Sequence, residues 1–161
     1  MKNFFFIACV FFSVSTYAQV QTPKASPVVK IQQKVGLADI QLEYSRPAAR
    51  GRVIFGDLIP FDETWRLGAN ENTKLTCSEA LIFGKDTLKA GTYALFAKPG
   101  KQSWTLYFYT DYSNWGLPET WDAQKVALEL TAAVQKKQDF QENLAITIDA
   151  MNNSGANLEI A

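Results

Sequence analysis

The chain is expected to fold as an all-β protein, an antiparallel β-sandwich of about nine strands with a long aperiodic loop packed on one sheet. Three observations predict it. Apolar residues alternate with polar ones in short runs, as in I-Q-L-E-Y at 40–44 and A-I-T-I at 145–148, the period of a strand with one buried face. Turn formers separate the runs, at Gly36, Gly84, Pro99-Gly100 and Asn152-Asn153-Ser154-Gly155. One stretch, Tyr44 to Thr73, breaks the alternation with Pro47, Gly51, Gly56, Pro60 and Gly68. A loop of that length inside a compact domain is usually functional or tightly packed.

With 161 residues, 47% apolar and 20% charged, the chain suits one domain with a proper core. Residues 1–18 read as a signal peptide: Lys2 gives a basic start, Phe4 to Val14 an apolar run, and Thr16-Tyr17-Ala18 a small-x-small cleavage site. Cleavage after Ala18 places the protein outside the cytoplasm, periplasmic or extracellular. The apolar run is well short of the ~20 residues that span a bilayer, so no stable membrane insertion is expected. Cys9 follows Ala8, but too little apolar sequence precedes it for a lipoprotein box. Residues 19–27 form an extended, mobile lead-in, and 28–161 the single sandwich domain. After cleavage only Cys77 remains, which rules out an internal disulfide and fits a small buried hydrophobe.

The elements follow in order. V-V-K-I-Q-Q-K-V and A-D-I-Q-L-E-Y form a first hairpin around Gly36. After the aperiodic segment, T-K-L-T-C and A-L-I-F are strands, with a turn at 84–86. G-T-Y-A-L-F-A and S-W-T-L-Y-F-Y make the clearest hairpin, Pro99-Gly100 suiting a type II turn. Trp104, Leu106 and Phe108 share one face, Tyr107 and Tyr109 the other. Both faces are apolar, so both need a cover: a second sheet on one side and the arginine loop on the other. Asp111 to Asp122 is an aromatic loop. Residues 124–135 suit a helix or a strand at four-residue spacing, but V-x-L-x-L-x-A-x-V favours a strand. L-A-I-T-I-D-A and N-L-E-I-A are the last strands. The pattern stops in mid-strand and is expected to continue in a longer chain.

The formal net charge is zero, which argues against nucleic acid and acidic membrane surfaces as partners. No histidine is present, which removes Ser-His-Asp and Cys-His catalysis and histidine-ligated zinc. Carboxylates, lysines and tyrosines remain.

All four arginines, Arg46, Arg50, Arg52 and Arg66, lie in the aperiodic stretch; every other basic residue is a lysine. Their planar forks suit bidentate pairing with carboxylates or other anions. In one reading they pair internally with Glu43, Asp57, Asp62, Glu63 and Glu71, Arg66 with Glu71 foremost. In the other, one or two stay free to hold an anionic or sugar ligand. Tyr112 and Trp115, with Trp121, form either a stacking platform for sugar rings or a lid over a core edge. Asp57 with Glu71, or Asp62 with Glu63, could serve a glycosidase, but neighbouring arginines would lower their pKa values, against a general acid. Asp111, Ser113 and Asn114 lack the spacing of a calcium loop, so no metal and no cofactor is expected.

The motifs Y-S-R-P-A-A-R-G-R-V-I-F-G-D-L-I-P-F, W-R-L-G-A-N-E, A-G-T-Y-A-L-F-A-K-P-G and W-T-L-Y-F resemble, in that order, the exported bacterial family catalogued as domain of unknown function 2911, common in the Bacteroidetes. The resemblance runs from about Ser26 to the end. It implies export, one β-rich domain and a strand at 124–135, and supplies no catalytic residue. Asp86-Thr87-Leu88, at a turn, resembles a short pattern that some of those bacteria O-glycosylate; a plain turn is the simpler reading. The expected function is an exported small-molecule module binding a glycan or an anion, monomeric or weakly associating. The alternatives are a carboxylate-based hydrolase and an interaction domain with no small-molecule site.

Overall fold

A computed structural model describes residues 22–161; the expected signal peptide and its cleavage site lie outside them. The fold is all-β. Its main sheet has six antiparallel strands in the order β1-β2-β3-β6-β7-β8. They are β1 (Val28–Val35), β2 (Ala38–Ser45), β3 (Thr73–Cys77), β6 (Gly91–Pro99), β7 (Ser103–Tyr109) and β8 (Val126–Ala133). Two short ribbons complete it, β4 (Leu81–Phe83) with β5 (Asp86–Leu88), and β9 (Ile146–Asp149) with β10 (Asn157–Ile160). Among the described residues no helix is long and apolar enough to cross a membrane.

Alternation dictates the layering. One face of the sheet carries in-register rows such as Ile31-Leu42-Leu75-Tyr93 and Thr73-Leu95-Phe108-Leu128. Both ribbons lay Leu81, Phe83, Leu88, Ile146, Ile148, Leu158 and Ile160 on that face, which makes the main core. The opposite face is polar over β1 and β2, where Lys30 pairs with Glu43 at 2.9 Å and Lys34 with Asp39 at 3.1 Å. Over β6 and β7 it is apolar, and Ala94, Phe96 and Tyr109 are buried there. Trp121 lies over them, its ring centroid 4.8 Å from Tyr109 and 5.5 Å from Phe96.

The hairpins, the strand at 126–133 and both apolar faces of the β6–β7 pair stand as expected. Asp86-Thr87-Leu88 is not a turn but β5, the partner of β4. The covers also differ. Trp65 and Leu67 of the arginine loop join the same core as the ribbons, and the aromatic loop covers the other face. The reason is that the loop continues the β3 row instead of lying flat on a sheet. Asp62 N–H donates to Pro99 O at 2.8 Å, and Trp65 and Ala97 exchange two backbone bonds at 2.7 and 2.8 Å. Its returning limb thereby satisfies backbone groups of β6 that the shorter β3 does not reach.

Residues 24–27, the end of the expected lead-in, each contact this loop. Lys24 Nζ meets Glu71 Oε1 at 2.7 Å, and Ala25 O accepts from Arg50 Nη2 at 3.2 Å. Ser26 O accepts from Asn70 Nδ2 at 3.3 Å, and Pro27 O from Arg46 N–H at 2.9 Å.

Candidate functional site

Bending the arginine loop back onto β6 leaves a groove of about 570 Å³ between its two limbs, within the size range of small-molecule sites. Loop residues Ile54, Phe55, Leu58 and Ile59 line it, with Leu117 from the aromatic loop and Leu144 before β9. Arg52, Arg66, Glu63 and Glu142 are its charged residues, and Ser26 of the lead-in also lies on its wall. Trp65 supports the floor: its ring stands edge-on to Phe55 at 6.0 Å and to Trp104 at 6.4 Å, and its Nε1–H donates to Gly68 O at 3.2 Å.

Among the described residues none of the four arginines pairs with a carboxylate. Three staple backbone instead. Arg46 Nε donates to Leu144 O at 3.0 Å, Arg50 Nη2 to Ala25 O, and Arg52 to Ala49 O at 2.9 Å and Ala48 O at 2.8 Å. A loop without a ladder leaves carbonyls to be satisfied, and a five-donor fork does so economically. The expected Arg66–Glu71 pair does not form. Glu71 is taken by Lys24, whose hydrogen bond lowers its pKa.

Arg66 is placed differently. Trp65 and Leu67 enter the core, with Leu67 at a positive φ, while Arg66 between them turns toward the aromatic loop. Its guanidinium carbon lies 5.3 Å from the centre of the Trp115 ring. Gly116 makes room for it. With φ at +78° that residue occupies the left-handed region, and a Cβ there would sit 3.0 Å from Arg66 Nη1. Arg66 donates no hydrogen bond within the described residues. A contact between the cation and the ring face spends none of the guanidinium N–H donors on a hydrogen bond.

Two tethers hold the aromatic loop in place. Asn72, buried to 3% exposure, donates from Nδ2 to Asn114 O at 2.6 Å. Its Oδ1 has no protein donor among the described residues. At the other end Lys125 meets Asp111 at 2.7 Å. The Lys125 hydrogen bond, then those from Ser113, hold the Asp111 carboxyl well below the usual carboxylate range, and Asp111 raises Lys125 in turn. A lowered carboxylate stabilises the fold in full above its unfolded value and loses that stabilisation as pH falls through the folded one; a raised lysine mirrors this in alkali. The Asp111→Asn variant should therefore melt below the wild type by a constant margin between about pH 4 and pH 10. That margin should close in stronger acid and in stronger alkali. Melting curves across pH test it, and a margin that widens in acid would contradict the assignment. Both side chains are partly exposed, so solvent screening keeps the margin small.

Of the residues singled out in the sequence, Arg52 and Arg66 line the groove, and Trp115 stacks on Arg66 beside it. Arg46, Arg50 and Glu71 fasten the loop and the lead-in, and Tyr112 is exposed near the start of the aromatic loop. Sequence reasoning missed Ser26, Glu142, Leu117 and Leu144 as neighbours of the arginine segment. Their contacts span up to 98 residues of chain, and no local period encodes such a meeting.

The fold and site define an antiparallel β-domain in which one loop, stapled by arginines, walls an apolar groove with a stacked arginine at its edge. The chain belongs to the family described as protein of unknown function (DUF2911), whose family model matches residues 26–161. Comparison with curated proteins and with solved structures finds no match.

Proposed function

We propose that this is a binding module whose groove holds a small ligand by an anionic group set against Arg66. One observation carries the reading: Arg66 is fixed by the Trp115 ring and the open face of Gly116, yet its donors are uncommitted within the described residues. Preorganising a side chain without spending its hydrogen bonds lowers the entropy cost of binding. The hydrolase alternative draws less support. Glu71 is tied to Lys24 with a lowered pKa, the opposite of a general acid, and Asp57 and Asp62 do not line the groove. We further infer that the protein is exported, from Lys2, the apolar run Phe4 to Val14 and Thr16-Tyr17-Ala18, and that it works as a monomer or a weak oligomer.

Thermal shift against a panel of small anions and glycans tests the reading. A ligand at a hundred times its Kd adds about 2.7 kcal/mol, a readily measured rise in Tm. That rise should vanish in Arg66→Lys, which keeps the charge but loses the planar fork, while the unliganded Tm stays put. A rise that survives the substitution would move the site elsewhere.

A further inference from the structure

We infer that the ligand of this groove is an amphipathic organic monoanion, a single carboxylate or sulfonate on an apolar body, and not a free sugar or sugar acid. The inference rests on the binding reading above and narrows its ligand. Phe55, Leu58 and Leu117 line the groove yet stay 37%, 53% and 45% exposed. Large apolar side chains left open around one concavity mark a surface that a partner or ligand covers. A sugar would need several free polar side chains to replace the water on its hydroxyls. Among the described residues, three of the seven polar side chains on the groove wall are already engaged, Gln141 Nε2 donating to Asn143 O at 2.9 Å, which leaves the short hydroxyls of Ser26 and Thr64 and the ionic Glu63 and Arg66. Arg52 is spent on Ala48 and Ala49, and Glu142 Oε1 accepts from Arg50 N–H at 2.8 Å.

Charge selects the sign of the head group. Two ionic side chains on the groove have no partner among the described residues, Arg66 and Glu63. Glu63 is exposed and well hydrated, so pairing with it gains little. Arg66 is half-buried and braced by Trp115, so its donors are dearer to leave unpaired and its pairing is the stronger. An anion is favoured over a cation on that ground. The volume of about 570 Å³ admits one such molecule and not an extended polymer.

Calorimetric titration of the purified protein separates the outcomes, using pentanoate, octanoate, octanol, octylammonium and glucuronate, each below its micellar concentration. Affinity should rise about fourfold for each added methylene until the groove is filled. Octanol should bind at least tenfold more weakly than octanoate. Arg66→Gln should bring octanoate down to the level of octanol and leave octanol unchanged. Phe55→Ala should flatten the chain-length dependence without altering the preference for the anion. If glucuronate binds at Arg66 as tightly as octanoate, the apolar body is wrong while the anion-binding reading stands. If octylammonium binds as well as octanoate, Glu63 and not Arg66 governs the site, and the inference falls. If no anion of either kind binds, the binding reading falls with it.

Discussion

Replacing Phe108 by alanine is expected to lower the free energy of unfolding by about 3–5 kcal/mol. Phe108 is fully buried on β7, flanked in register by Leu95 of β6 and Leu128 of β8. Its ring lies 5.5 Å from Phe83 and 6.4 Å from Tyr93, centre to centre. It is thus the post on which the β4–β5 ribbon rests. That ribbon has three residues in each strand, and an isolated two-stranded hairpin is marginal at best in water. The loss should therefore include the docking of the ribbon as well as a cavity. Denaturant titration of Phe108→Ala, Phe83→Ala and the double variant measures this. The double loss should fall short of the sum by more than about 0.5 kcal/mol, the coupling of residues in contact. Strict additivity would mean that the ribbon does not depend on this post.

The same pair shows what the sequence could and could not reveal. Phe108 stands in W-T-L-Y-F, where alternation alone assigns it to the face of Trp104 and Leu106, and the core holds all three there. Strand alternation is a local property, set by the two-residue period of the backbone, and so the hairpins and the strand at 126–133 were readable. The docking of Phe83 on that face was not. Leu81–Phe83 and Asp86–Leu88 are too short to show a period, and Asp86-Thr87-Leu88 carries the composition of a turn. Only the apolar surface awaiting cover on the main sheet decides that they pair and pack.

The site divides along the same line. Four arginines in one aperiodic segment announced a loop needing many donors, and the loop has that character. Which partners they choose is a tertiary matter. Carboxylates are near in sequence, yet the arginines bond to carbonyls of Ala25, Ala48, Ala49 and Leu144. Arg50 and Arg52 are exposed, where an ion pair gains little, whereas the carbonyls of a loop without a ladder need donors close by. Arg66 escapes this fate through backbone geometry: it lies between two residues committed to the core, and its side chain is sent to the opposite side, where Trp115 and Gly116 wait. The exposure of Trp115, 66%, then follows from its role as a brace for Arg66 and not as a core lid, the part that Trp121 takes.

That geometry hinges on Leu67, for which the expected result runs against ordinary experience. Leu67 is fully buried in the main core, yet its φ is +50°, a left-handed conformation that costs an L-residue about 1–2 kcal/mol. Its carbonyl accepts from Thr73 Oγ1 at 2.6 Å, which locks the turn against the first residue of β3. The apolar side chain thus holds a strained backbone in place, and the strain is what reverses the chain between Arg66 and Asn70. Leu67→Ala should cost about 2–5 kcal/mol, from lost burial and the cavity left behind. Leu67→Gly removes still more side chain, and within a regular element glycine is worse than alanine by about 0.5–1 kcal/mol. Here the order should invert. Glycine adopts φ near +50° at no steric cost, alanine does not, so Leu67→Gly should be the more stable variant by about 1 kcal/mol. Denaturant titration of the two variants side by side decides it. The usual order, with glycine below alanine, would show that the turn at Leu67 carries no strain and that the direction of Arg66 is set elsewhere in the loop.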